Sequence, residues 1–481
     1  MLLIMAAQGR AAESPSALAD AAERGDARAV LALLDAGAEV DAPQADGMTA
    51  LLWAALHDDA PLAAALVDAG ADVNRANRYG VPPLVLACRQ GDGALVRQLL
   101  EAGANPNAVL PDGATPLMIA ARTGRIDAVR ALVDHGAAVG ATEPHGQTAL
   151  MWAAAEGHAD VVRALVDAGA DVQTPLESGF TPLLFACREG RIEVVAALLD
   201  RGVDVNAAAR VRRAPAGGLT RGATPLIVAI ENGHFELAAR LLNLGADATG
   251  GRAPYTPLHA IVGVRKVDSG DDNALPPPDG SGQLTSLDLV RRLVEHGADV
   301  NAQLRRGDTG VGKLNRRGAT PFFLAADTAD AELMRLLVEL GADPTITNAD
   351  RATALLAAAG LGTLAPGEEA GTEEEALEAV QLCLELGLDV NAVDDNGETA
   401  MHGAAYASWP RMVQFLAEHG ADEAVWNRRD KYGWTPLLIA RGYRPGNFKP
   451  APDTIAALRS VMHDPHAPDD EPPKRPENYS Q

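Results

Sequence analysis

The sequence predicts an all-α repeat solenoid of about twelve helix-turn-helix units with short, β-hairpin-like loops between them. Three observations carry this expectation. Thr49, Pro82, Thr115, Thr148 and Thr181 open equivalent segments at a constant spacing of 33 residues, and self-similarity at such a period marks a stacked array, not several separate globular domains. Each period holds two short runs with apolar residues at helical spacing, separated by glycine. Ala, Leu and Val dominate while aromatics make up 4% of the 481 residues, which suits close packing of small helices and leaves little for an aromatic-lined pocket.

Residues 114–146 show how one unit is written. Thr115-Pro116 reads as a helix start, because a hydroxyl can cap the first free amides and proline at the first helical position loses only an N–H that has no intrahelical partner. Leu117, Ala120 and Ala121 line one side of a short first helix, which Thr123-Gly124 stops. Ile126, Val129, Leu132 and Val133 then form the buried stripe of a second helix, with Asp127 near its positive end and Gly136 beyond its last turn. Turn formers through Pro144-His145-Gly146 lead to the next unit.

The resulting pattern, G-x-TPL-x-x-AA-x-x-G-x-x-x-x-V-x-x-L-x-x-x-GA, resembles the ankyrin repeat over nearly all of the chain. The resemblance implies stacked helix pairs, a hairpin projecting beside a concave face, and a binding role whose partner the motif itself does not encode. The arrangement is similar to multi-ankyrin proteins of bacteria, including exported ones.

The formal charge of −24 comes largely from recurring GAD and D-x-G turns. It argues against a general nucleic-acid binder, which needs a basic face to neutralise phosphates. Cys88 and Cys187 share one register three periods apart, too far to form a disulfide, and with Cys383 read as small buried thiols. The start, MLLIMAAQGRAAESP, has a short apolar run followed by Gly9-Arg10-Ala11. Residues 1–13 thus read as a signal or leader whose beginning lies upstream, placing the protein in the periplasm or outside the cell, with the cytoplasm as the alternative. No run approaches the roughly 18 apolar residues of a membrane helix.

Taken in order, residues 14–463 form the solenoid. Ser16–Asp46 is a capping unit without the TPL motif, as expected where an outer face meets water. Regular units follow, and in one of them Val81-Pro82-Pro83 lacks the capping threonine. After Gly202 the period stretches by an insertion near 207–221 that carries Arg210, Arg212, Arg213 and Arg221. The unit at Thr256 has two insertions, a polar Gly- and Pro-rich one near 263–286 between its helices and a basic one near 303–318. The second carries Arg305, Arg306, Lys313, Arg316 and Arg317. The unit at Thr353 gains an acidic segment near 360–375 that lengthens its second helix. Units at Thr399 and Thr435 close the array, a last helix covers Thr454–Met462, and residues 464–481 form a Pro-rich, charged tail expected to stay disordered.

Few residues suggest chemistry. Gly307–Lys313 satisfies the G-x-x-x-x-G-K of a phosphate loop, but Leu314 stands where Ser or Thr should hold magnesium, and no strand precedes it. His259 and His402 fill the fourth position of TPLH, where in ankyrin repeats the imidazole usually bonds backbone between repeats. His135, His296 and His419 precede a terminating glycine, where a cation suits the helix end. There is neither an H-E-x-x-H nor a G-x-S-x-G motif, so no catalytic group, metal or cofactor is expected. The expectation is a monomeric, non-catalytic protein-protein interaction scaffold using its concave face and inserted loops, the nine basic residues flanking one site about 20 Å across and clamping an acidic partner or an anionic polymer. Two alternatives remain open: an enzyme with a site between the irregular units at 256–320 and 353–399, and a secreted effector.

Overall fold

The computed structural model describes residues 16–90, 93–211, 219–266, 282–307, 313–363, 367, 371–443 and 449–464. The leader-like start and all but Asp464 of the expected tail lie outside these residues. Two compact units divide the chain, Met1–Leu219 and Thr220–Gln481.

Within the first unit, six first helices pack side by side: α1 (Ala17–Glu23), α3 (Ala50–Leu56), α5 (Pro83–Gln90), α7 (Pro116–Arg122), α9 (Ala149–Glu156) and α11 (Pro182–Arg188). Their partners are α2 (Ala27–Asp35), α4 (Ala60–Asp68), α6 (Gly93–Glu101), α8 (Ile126–Asp134), α10 (Ala159–Asp167) and α12 (Ile192–Leu199). In the second unit the first helices are α13 (Pro225–Glu231), α15 (Pro257–Arg265), α17 (Pro321–Asp327), α19 (Ala354–Ala358), α21 (Ala400–Tyr406) and α24 (Pro436–Ala440). Their partners are α14 (Phe235–Asn243), α16 (Ser286–Glu295), α18 (Ala331–Glu339), α20 (Glu373–Glu385), α22 (Pro410–Glu418) and α25 (Pro452–Val461), and a single turn, α23 (Glu423–Trp426), precedes the last pair. The expected dozen helix pairs are present among the described residues.

Threonine starts the first helices for the reason the sequence suggests. Thr49, Thr115, Thr148, Thr181 and Thr224 each hold extended backbone and accept the amide proton of the third helical residue at 3.3 Å. A cap of this kind stabilises a helix by about 1 kcal/mol. The glycine after each second helix supplies a left-handed turn: Gly136 has φ +83° with open space around its Cα, so conformation and not packing requires it.

Stacking buries one residue of each type per repeat. Leu18, Leu51, Leu84, Leu117, Leu150 and Leu183 are almost wholly buried, as are Leu66, Leu99, Leu132, Leu165 and Leu198 one helix away. Truncating such a leucine to alanine costs about 2–5 kcal/mol.

The loops are turns, not strands. Each is closed by one narrow backbone bond, for example Gln44 N to Met48 O at 2.8 Å and Leu110 N to Ala114 O at 2.9 Å. Among the described residues only Thr142 and Thr148 form a β-bridge. These tight turns closed by a backbone pair are hairpin-like connections with too short a ladder to form a strand. What joins successive loops is asparagine. Asn107 donates to Gly136 O at 3.1 Å and accepts from Ala138 N at 2.7 Å, and Asn74, Asn301 and Asn391 repeat the arrangement. The asparagine at this turn position is therefore an inter-repeat clasp at Asn74, Asn107, Asn301 and Asn391.

Candidate functional site

The basic insertions are only partly available to a partner. Arg212 and Arg213 lie outside the described residues. Arg210 is exposed at the end of the first unit and Arg221 at the start of the second. In the 303–318 insertion, Leu304 N donates to Ala319 O and Gly318 N to Leu304 O, at 2.9 and 2.8 Å, which closes the base of the finger. Gly307 is needed there, because a Cβ would stand 2.2 Å from Arg317 N. Residues 308–312 of the phosphate-loop-like string lie outside the described residues. Arg316 turns back to Asp327 at the end of α17, 3.2 Å away. Its guanidinium is thus paired within the chain while part of its surface stays in solvent. Arg305, Arg306, Lys313 and Arg317 are exposed.

The other insertions are anchored inside the second unit. Arg265, whose side chain is 16% exposed, donates through Nε and Nη2 to Asp330 at 2.6 and 3.1 Å, and also reaches Ser286 Oγ and Glu332. Asp330 is itself the cap of α18, accepting from Leu333 N. Lys266 donates to Ala329 O and pairs with Glu375 in the first turn of α20, at 2.9 and 3.0 Å. The acidic segment does lengthen the second helix, to 13 residues, through a capping box of Thr372 and Glu375.

These anchors bring the irregular units at Thr256 and Thr353 together. A Cβ on Gly362 would lie 2.4 Å from Leu314 N, so the two inserted loops touch backbone to backbone. A Cβ on Gly403 would lie 2.7 Å from Ala359 O and Leu361 N, so the loop after α19 lies directly on α21. What meets here is an ammonium neutralised by a carboxylate, an arginine held by its acids, and apolar backbone contact. Such pairs fasten loops.

The first-helix face differs between the units. The fourth residue after each capping position projects from it. In the second unit that residue is Val228, Ala260, Leu324, Ala357, Gly403 or Ile439, small or buried in every case except the half-buried Leu324. In the first unit it is Trp53, Leu86, Ile119, Trp152 and Phe185, of which Trp53, Ile119 and Trp152 keep part of their surface in solvent. One turn further along the same helices stand Arg89, Arg122 and Arg188. Arg122 lies over the Trp152 ring at 5.4 Å. Arg188 lies over Phe180 and Phe185, which stack at 4.7 Å. Trp53 donates its indole N–H to Gln44 at 2.7 Å and leans on His57. The irregular segments stand out first in the sequence, and a regular row such as this one does not. Its signal, a large apolar residue four positions after Thr49, Pro82, Thr115, Thr148 and Thr181, is visible once the repeats are aligned.

The remaining polar groups serve structure. Thr256 N and Oγ1 donate to His259 Nδ1 at 3.3 and 2.8 Å, which puts the ring proton on Nε2, where it faces Ala319 O at 3.2 Å. His402 repeats the motif with Thr399. Burial lowers both to about 4. His135, His296 and His419 each hold a carbonyl four residues back at 2.8 Å. Cys88, Cys187 and Cys383 are free and buried, and burial pushes each thiol up. Asp394 and Asp430 sit in neighbouring turns of the second unit. Burial first, and a neighbouring carboxylate last, raises both. Among the described residues no group of three His, Cys, Asp or Glu could hold a metal, and no helix is long and apolar enough to cross a membrane.

Comparison with known proteins agrees with this architecture. The family described as "Ankyrin repeats (3 copies)" matches residues 18–109, 84–175 and 370–448, and that of the single "Ankyrin repeat" matches 178–210, 221–249 and 317–349. The chain is 29% identical over 210 residues to the B-cell lymphoma 3 protein homolog of Mus musculus, covering 38% of this chain and 43% of that protein. It is 45% identical over 62 residues to the 2-5A-dependent ribonuclease of Mus musculus, 13% of this chain and 8% of that one. It thus spans less than half the length of the curated relatives it matches. Among solved structures, the human ASB11 ankyrin repeat domain is 24% identical with a TM-score of 0.41, over 55% of this chain and 100% of the other.

Proposed function

This chain belongs to the ankyrin-repeat family, and from that premise we propose that it is a monomeric, non-catalytic scaffold that docks a partner protein on the first-helix face of its first unit. The observation that carries the reading is the contrast between the two faces. The second unit fills its row with small or buried side chains and folds its own loops onto it, whereas the first unit presents tryptophan and isoleucine beside arginine. Large amphipathic side chains next to arginine are the groups that dominate binding energy where proteins meet. The exposed Arg305, Arg306, Lys313 and Arg317, with Arg210 and Arg221, steer an acidic partner by long-range attraction; these contacts govern encounter rate and salt dependence more than affinity.

Full-length protein carrying a photo-crosslinking residue at Ile119 is expected to capture a partner from native extract, and the same residue at Ala357 is not. Equal capture at both positions, or none at either, would overturn the reading. The leader-like start extends the proposal to an exported protein, which N-terminal sequencing of the mature chain tests.

A further inference from the structure

The row in the first unit has a spacing that restricts what can lie along it. Its members stand one repeat apart, and neighbouring first helices pack at about 8–10 Å. An extended chain of the polyproline II type has three residues per turn and rises about 3.1 Å per residue, so every third side chain faces the same way and advances by about one repeat. Building on the scaffold reading above, we propose that the first unit recognises an extended segment of its partner. That segment has an apolar side chain at every third position, one over each of the five repeats from Trp53 to Phe185, with the partly exposed Trp53, Ile119 and Trp152 supplying the apolar contact surface, and carboxylates between them for Arg89 and Arg122.

Two observations favour an extended segment over a helix. The uncovered strip is narrow: Arg122 covers one side of Trp152, Gln44 and His57 hold Trp53, and Leu86 and Phe185 are 7% and 5% exposed. A single extended chain is narrower than a helix, which with its side chains takes about 10–12 Å. Charge supplies the second. Arg89 and Arg122 are exposed one helical turn from Leu86 and Ile119, so they lie beside the strip, within reach of residues that flank each apolar contact. Arg188 contributes less, because its charge is already shared with Glu189 at 2.8 Å. A guanidinium beside apolar surface is a strong donor to a carboxylate when water is partly excluded.

The test uses the full chain against a displayed library of random segments about 13 residues long, the length that spans five contacts three residues apart. Enriched sequences are expected to share an apolar residue at every third position with an excess of Asp and Glu between. A synthetic peptide of that consensus should shift the emission of Trp53 and Trp152 and lose at least tenfold in affinity with Ile119→Asp. Arg122→Glu alters an exposed side chain and is not expected to disturb folding. It should weaken binding of the acidic peptide at least fivefold, but not that of a peptide with the acids changed to Gln. Enrichment of a helical i, i+3, i+4, i+7 pattern, absence of any shared spacing, or binding indifferent to both substitutions would overturn the inference. If crosslinking at Ile119 still captures a partner in those cases, the scaffold reading stands and only the extended segment is wrong. Failure of that capture would remove the scaffold reading as well.

Discussion

His259 and His402 make the second unit acid-sensitive in a defined window. Each imidazole accepts from the threonine that caps its own helix, and each is buried, at 5% and 0% exposure. Charging either ring places a cation among backbone dipoles that already use its Nδ1 as an acceptor, which is why burial holds both at about 4. A free histidine titrates near 6.5. Between those values the unfolded chain binds more protons than the native one, so stability is fully present above about pH 6.5 and is lost as pH falls toward 4. The full loss is about 3 kcal/mol per histidine, of which about 2 kcal/mol has appeared by pH 5. Asp394, Asp430 and Glu231 oppose this, since burial raises all three and their protonation relieves a cost as pH falls. The measurement is urea unfolding at pH 7.5 and pH 5, compared with His259→Gln/His402→Gln. Glutamine at this position can still complete the capping box but does not titrate. Wild type should lose about 4 kcal/mol more than the double variant across that interval. An identical pH dependence in the two proteins would refute the assignment.

Three further outcomes follow from packing. Arg265→Met should destabilise the second unit by about 3 kcal/mol, because Asp330 is left buried without its counter-ion; adding Asp330→Asn should recover most of it, and chemical denaturation of the single and double variants reports both. Gly403→Ala should also destabilise, by about 1–3 kcal/mol, since the new methyl would meet Ala359 O and Leu361 N. At an open helical site the same change stabilises by about 1 kcal/mol, so the sign of the shift in denaturation midpoint decides. Asn107→Ala removes two bonds to the next repeat and should cost about 1 kcal/mol, with faster amide exchange at Ala138.

Most of the solenoid could be read before any coordinates. Thr115-Pro116 predicts the start of α7, and the helix begins at Pro116. The Gly- and Pro-rich tract after Val262 predicts one repeat split by an insertion, and α15 and α16 are indeed separated by the residues between Arg265 and Ser286. Val81-Pro82 predicts a missing threonine cap, and α5 starts at Pro83 without one. The proposed interaction face was harder to see. Arg316 looks like a free cation in sequence and is held by Asp327 in the fold, while nothing in the sequence reading singles out Trp53 and Trp152, which lie half open.

The sequence by itself determined the repeat, the caps and the order of the helices, because each depends on contacts within a unit or with the next one, and a period writes such contacts many times over. Tertiary structure alone decided where the insertions go. Arg265 meets Asp330 across 65 residues, and Leu314 meets the backbone of Gly362. These are single long-range encounters that no periodicity announces. In the second unit the loop after α19 also comes to lie on Gly403 in the first-helix row, whereas the first unit's row, from Thr49 to Thr181 at a constant 33-residue spacing, keeps Trp53, Ile119 and Trp152 partly in solvent.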